Sequence, residues 1–216
     1  MLLRLGLVAG VTMATVVTAD SAYAITLTKG GSGSPIPNPG SSNSGIVVSA
    51  SDFPASPPLI VNKVSVSIFG LNHARSGEVS ASLSYSNGGS PTVVSLFGRN
   101  TVSPTAGFAP EDVDGNEVAY IFEDGGSLFP PTPVNAELPG GTYSPATPLS
   151  TFNSFSSVGT WTLSFTDHVG NSRSGSFQRW ELALSDGATP PTPIPTPCRC
   201  SSWADQHGCG CFAQAT

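Results

Sequence analysis

In the stretch GTWTLSFTD, Gly159–Asp167, the large apolar residues Trp161, Leu163 and Phe165 alternate with Thr160, Thr162, Ser164 and Thr166. A period of two puts the three large side chains on one face and the hydroxyls on the other, as in a strand with one dry and one wet side. The same period recurs as Val64, Val66 and Ile68 in VSVSIFG, and as Val79, Ala81, Leu83 and Tyr85 against a row of serines in EVSASLSYS. It returns as Val118, Tyr120 and Phe122 in EVAYIFED and as Trp180, Leu182 and Leu184 in RWELALS. Between EVSASLSYS and TVVSLFG, the turn residues NGGSP (Asn87–Pro91) predict a hairpin. No segment sustains a helical period. The pattern predicts an all-β fold, a jelly-roll-like β-sandwich of about eight strands over residues 46–185. Its core takes Trp161, Leu163, Phe165, Trp180 and Leu182. The Thr/Ser row of the opening stretch reads as the solvated outer face. The other reading open to it is a flat surface for a polysaccharide or protein partner.

Only 10% of the residues are charged, against the roughly 25% usual in soluble domains. Hydroxyls and turns therefore carry the solubility, which suits an extracellular β module. Net charge is -6 and the only lysines are Lys29 and Lys63, so no basic face for a phosphate backbone can be built and nucleic acid is excluded as a partner. Arg4, the apolar run Leu5–Val17 and the small-x-small site Ala22–Ala24 read as a secretion signal, residues 1–24. Cleavage after Ala24 removes Arg4 and Asp20 together and leaves the charge at -6. No later apolar run approaches the roughly 20 residues of a membrane span, and no transmembrane anchor is expected. Residues 25–45, rich in Gly, Ser, Pro and Asn, read as a flexible lead-in, and residues 186–197 as a stiff Pro-rich linker.

The segment LSTFNSFSSVGTWTLSFTDHVGNSRSGSFQRWELAL, Leu149–Leu184, resembles the P domain (P/Homo B domain) of proprotein convertases and their bacterial subtilisin-like relatives. Leu149, Phe152, Asn153, Gly159, Trp161, Leu163, Asp167, Gly175, Trp180 and Leu182 occupy the positions of that pattern. Upstream, His73, Gly77 and Glu78 resemble the family's His-x-x-x-Gly-Asp strand entry, and YIFEDGG resembles its Phe-Asp-Asp-Glu segment. The resemblance implies a module that packs on and stabilises a subtilisin-like serine endopeptidase and is associated with proteolysis. None of the subtilisin triad motifs appears in the sequence. The chain also departs from the family at Arg173, where the family commonly has an acidic residue.

The resemblance brings Glu78, Glu123, Asp124 and Asp167 to one end of the sandwich, a candidate calcium site. Calcium takes about six to eight oxygens, several from carboxylates. A second acidic run, EDVDGNE, offers Glu111, Asp112, Asp114, Asn116 and Glu117 around a glycine. For both, solvated acidic turns are the competing reading, and no cofactor is required. Catalysis by the chain itself is not expected. The histidines are His73, His168 and His207, and no Gly-x-Ser-x-Gly elbow is present. His73 reads as a hydrogen-bonded structural residue.

The four cysteines, Cys198, Cys200, Cys209 and Cys211, all lie in the tail 198–216. In a secreted chain they suggest two disulfides between the CRC and CGC clusters. A metal site of four thiolates, or of three with His207, is the alternative. The sequence thus points to a secreted, non-catalytic P-domain-like module. Its partner is an extracellular protein or polysaccharide, a subtilisin-like protease among them. The alternatives are a carbohydrate- or matrix-binding protein, or an accessory acting in trans on a separate subtilase.

Overall fold

The computed structural model describes residues 25–187, apart from 55–56, 102–103, 113 and 130–136. The expected signal peptide, all of the linker but Asp186 and Gly187, and the tail with Cys198, Cys200, Cys209 and Cys211 lie outside the described residues. The strands run β1 Thr26–Ile36, β2 Gly40–Val48, β3 Lys63–Phe69, β4 Val79–Ser86, β5 Thr92–Phe97, β6 Gly107–Phe108, β7 Ala119–Ser127, β8 Glu137–Leu138, β9 Gly141–Tyr143, β10 Gly159–Asp167 and β11 Gly175–Ser185. Short 3-10 turns occupy Ala50–Asp52, Ser76–Glu78 and Leu149–Phe152. Among the described residues no helix is long and apolar enough to cross a membrane.

The strands form a five-stranded sheet, β1-β11-β3-β7-β9, and a four-stranded sheet, β2-β10-β4-β5, with a small β6-β8 pair. The two large sheets meet over one apolar core. Phe165 of β10 packs on Phe177 of β11 at 4.9 Å between ring centroids, and Phe97 of β5 on Phe122 of β7 at 5.7 Å. Trp161, Leu163, Phe165, Trp180 and Leu182 are all buried there. The strand count exceeds the eight read over residues 46–185 because β1 and most of β2 lie before that span, and because β6, β8 and β9 are two or three residues long and too short to show a period.

One boundary is corrected. Residues 25–45 are no lead-in: they form β1 and most of β2, which edge opposite sheets. β1 pairs antiparallel with β11 from Thr26↔Ser185 to Ile36↔Gly175, and β2 pairs with β10 from Val48↔Gly159 to Gly40↔Asp167. The Gly- and Ser-rich composition that resembles a linker is what close packing demands here. A Cβ on Gly31 would collide with the indole of Trp180, and one on Gly33 with the backbone of Phe177 and Gln178. The serines serve as bonding groups: Ser42 Oγ donates to Ser34 Oγ at 2.7 Å, and Trp180 Nε1–H donates to Ser44 Oγ at 2.9 Å. Lys29 ties the two edges together, its Nζ donating to the Val47 carbonyl of β2 at 2.9 Å and to Asp52 at 2.8 Å.

Candidate functional site

The candidate site lies where β10 ends. Asp167 is the last residue of that strand and pairs with Val79, the first of β4. Glu78 therefore sits one residue before the pairing, in the 3-10 turn Ser76–Glu78. His73 comes from the loop after β3, held by reciprocal backbone hydrogen bonds with Phe108 at 3.2 and 2.8 Å. His73, Glu78 and Asp167 are 0%, 6% and 2% exposed. One ligand-type atom from each lies within 4.8 Å of the others.

Each of the three is already engaged. His73 Nε2 is 3.3 Å from Asp167 Oδ2, and Asp167 Oδ1 accepts the Val169 N–H at 3.0 Å. His73 Nδ1 lies 3.2 Å from the Arg75 amide nitrogen and 3.0 Å from the Arg75 carbonyl oxygen. A neutral ring that donates Nε2–H to Asp167 accepts the amide N–H, and a protonated ring donates to the carbonyl instead. Either way no ring nitrogen is open to a substrate. Glu78 Oε1 accepts from Asn171 Nδ2 at 2.7 Å, and the guanidiniums of Arg173 and Arg75 stand 3.7 and 3.8 Å from that oxygen. Glu78 Oε2 is buried with no hydrogen-bond partner, so the carboxylate is held through Oε1 alone, by the Asn171 bond and the two nearby guanidiniums.

The glycines of this end have steric reasons. A Cβ on Gly175 would lie 2.5 Å from the Asn72 carbonyl oxygen and 2.7 Å from the His73 ring. One on Gly77 would lie 2.6 Å from Pro104.

The four carboxylates expected to share calcium do not converge. Glu123 pairs across to Ser65 near the start of β3, whereas His73 and Glu78 lie beyond the end of that strand. Glu123 bonds Lys63 at 3.2 Å, and both oxygens of Asp124 accept backbone N–H groups, from Leu149 and Ser150, each at 2.8 Å. Asp124 thereby caps the 3-10 turn Leu149–Phe152. Glu78 and Asp167 remain together, but with a ring nitrogen and two guanidiniums where calcium would need oxygens. The residues present do not fit a calcium ion there. In the second acidic run, Asp112 accepts the backbone N–H groups of Asp114 and Asn116, both at 2.9 Å, and the Asn116 side chain. Those bonds hold its carboxyl below the ordinary range, the Asn116 backbone bond contributing most.

A second pairing escapes the residue-type reading. Ser80 Oγ lies 2.8 Å from His168 Nε2 at the surface. The period of β10 carries Thr166 and His168 outward, and Thr166 lies opposite Ser80, so the diagonal neighbour is implied once the pairing is known. Asp167, next in sequence, points inward to His73 and does not orient His168. A hydrolytic serine needs a base held by a third group, and this carboxylate is spent elsewhere.

The outer face of the four-stranded sheet continues the hydroxyl row. Register places Ser41, Thr166 and Ser80 side by side, then Asn43, Ser164, Ser82 and Ser95, then Gly45, Thr162, Ser84 and Val93. None of these positions holds a charged or aromatic side chain. The ring the structure places beside these described positions is the His168 imidazole at Ser80.

No family model and no curated protein matches the chain. Among solved structures it is similar to a chain of the crystal structure of Aeromonas sobria serine protease (ASP) in complex with the chaperone ORF2, at 16% identity and a TM-score of 0.39. The match covers 78% of this chain and 28% of that one, so this chain spans less than a third of the length of the solved one.

Proposed function

We propose that the chain is a secreted, non-catalytic β-sandwich of the P-domain type, an interaction or stabilising module for a partner protein. A subtilisin-like serine protease is the partner class that the sequence resemblance implies. The observation that supports this reading is where the motif residues go. His73, Gly77, Glu78, Asp167 and Gly175 come from separate stretches of sequence, yet they meet in one cluster that closes the end of the sandwich. Every group in it with acid, base or ligand chemistry is bonded into the fold or compensated by it. Such a motif specifies architecture, and the work of the module then falls to its surfaces.

The test uses the full secreted chain. Purified protein is expected not to hydrolyse casein or dibasic peptides, and affinity capture from the secreted fraction is expected to return a serine protease chain. Proteolysis that survives repurification and stops with a serine-directed inhibitor would sink the non-catalytic reading. Capture of no protein under conditions that preserve weak complexes would sink the interaction reading.

A further inference from the structure

Cations are scarce in this chain, eight Lys and Arg against fourteen Asp and Glu. Several described ones have a carboxylate of their own. Lys29 bonds Asp52 at 2.8 Å and Lys63 bonds Glu123 at 3.2 Å. Arg179 bonds Glu117 at 2.7 Å and Glu181 at 2.6 Å, and lies 3.5 Å over the Phe69 ring. Arg75, Arg99 and Arg173 behave differently, because all three gather on Gly77–Glu78. Arg99 Nε–H donates to the Gly77 carbonyl at 2.7 Å. Arg75 and Arg173 both face Glu78 Oε1 from 3.8 and 3.7 Å, too far to hydrogen-bond, with side chains 41% and 38% exposed. That oxygen already accepts from Asn171, and the other nearby carboxylate, Asp167, is taken by His73 and the Val169 amide. Two guanidiniums thus face one carboxylate, with Arg99 bonded to the neighbouring Gly77 carbonyl. Among the described residues the guanidiniums of Arg75 and Arg173 make no hydrogen bond at all, so their donor edges are unspent.

We propose that this end of the sandwich docks a short acidic segment of a partner protein, with a carboxylate held between Arg75 and Arg173 and Arg99 alongside. A planar guanidinium presents paired N–H donors matched to a carboxylate, and two of them aimed at one point form a grip for that group. The size of the patch argues for a short segment. A long polyanion would run beyond three cations onto a molecule of net charge -6 and be repelled by the rest of it. The inference rests on the reading of the chain as an interaction module and names the chemistry of its partner.

The experiment titrates the full secreted chain with fluorescent hexaglutamate at low ionic strength, and with hexaglutamine of the same length. Hexaglutamate is expected to bind, hexaglutamine not, and binding is expected to vanish at about 0.5 M salt, where exposed charges are screened. The double variant Arg75→Gln/Arg173→Gln is expected to weaken binding about tenfold or more, as two exposed ion pairs are lost. Arg179→Gln, whose partners lie within its own sheet region, is expected to leave it unchanged. If the double variant melts early, Arg173→Gln alone carries the test, since that side chain makes no hydrogen bond. Equal binding of both peptides, or wild-type affinity in the variants, overturns the proposal. Heparin binding without hexaglutamate binding overturns it in favour of a polyanion surface. Peptide binding without any protein captured would leave the site standing and unseat the module reading instead.

Discussion

Strand β10 connects two ends of the sandwich that are held together by opposite means. At its start, Trp161 is fully buried against Tyr85 and Phe152, at 4.6 and 5.1 Å between ring centroids. The ring polar groups there bond to backbone carbonyls of the loop before the strand. Trp161 Nε1–H donates to the Ser157 carbonyl at 3.0 Å, and Tyr85 O–H to the Val158 carbonyl at 2.8 Å. At its finish, Asp167 enters a buried network with His73, beside Glu78 and two arginines. The aromatic end gains from area removed from water, which is non-directional and tolerates small shifts. The polar end gains little net energy from each bond and loses much when one partner is removed. The first end supplies stability and the second supplies definition, since its groups fit in one arrangement only.

The largest effect should come from the aromatic end. Trp161→Ala should cost about 3–5 kcal/mol, enough to unfold a domain of ordinary stability, because it opens a cavity among rings that cannot all collapse into it. Urea unfolding measures it. A loss under about 1 kcal/mol would mean that the indole is not packed as described.

The polar end should respond by chemistry rather than by volume. Asp167→Ala removes the acceptor of a buried imidazole and should cost about 2–4 kcal/mol. His73→Gln/Asp167→Asn, which keeps an amide pair of similar shape, should recover part of that loss. A double-variant loss equal to the sum of the losses of His73→Gln and Asp167→Asn made singly would show that the pair is not coupled and would erase the contrast between the two ends.

How much of this was legible depends on distance along the chain. The alternation of Trp161, Leu163 and Phe165 lies within nine residues, so strand and buried face follow from local spacing. The polar end joins His73 to Asp167 across 94 residues, from a loop and a strand terminus where no period applies. Only the resemblance of His73, Gly77 and Glu78 to a known pattern hinted at it. That hint also drew in Glu123 and Asp124, which the β3–β7 register carries to the other end. Residues 25–45 failed for a different reason. Glycine and serine look alike in a linker and in an edge strand pressed against tryptophan, because composition does not report what lies opposite. Gly31→Leu decides between the two, since a linker would accept it. Here the side chain meets the Trp180 indole and should cost about 1–3 kcal/mol by overpacking.

Asp124 tests the comparison more finely, because it is an acid at the end distant from Asp167 with a purely local task. Its two oxygens accept the Leu149 and Ser150 amides, so Asp124→Ala should cost about 1–2 kcal/mol, as for the loss of a capping residue. Asp124→Asn should retain about half of the stabilisation, since one oxygen remains to accept. Amide hydrogen exchange at Leu149 and Ser150 should quicken in the alanine variant before any global change is seen.

The smallest expected effect is that of calcium, and it bears on both ends at once. An ion that binds the native state alone stabilises it by mass action, about 2.7 kcal/mol at a concentration a hundredfold above its Kd. In a domain of this size that would lift the melting temperature by several degrees. Here Asp124 spends both oxygens on backbone amides, Glu123 pairs with Lys63, and Glu78 already has two guanidiniums beside it. Each carboxylate therefore has its compensation inside the chain. The melting temperature should be the same in chelator and in millimolar calcium. A rise abolished by Asp124→Ala would place the ion at the capped turn and show that capping leaves a ligand to spare. A rise abolished by Glu78→Gln would place it in the buried cluster, and the arginines would then have to yield to a divalent cation. In that case Arg173→Ala should strengthen the response to calcium, because removing a competing positive charge favours the ion.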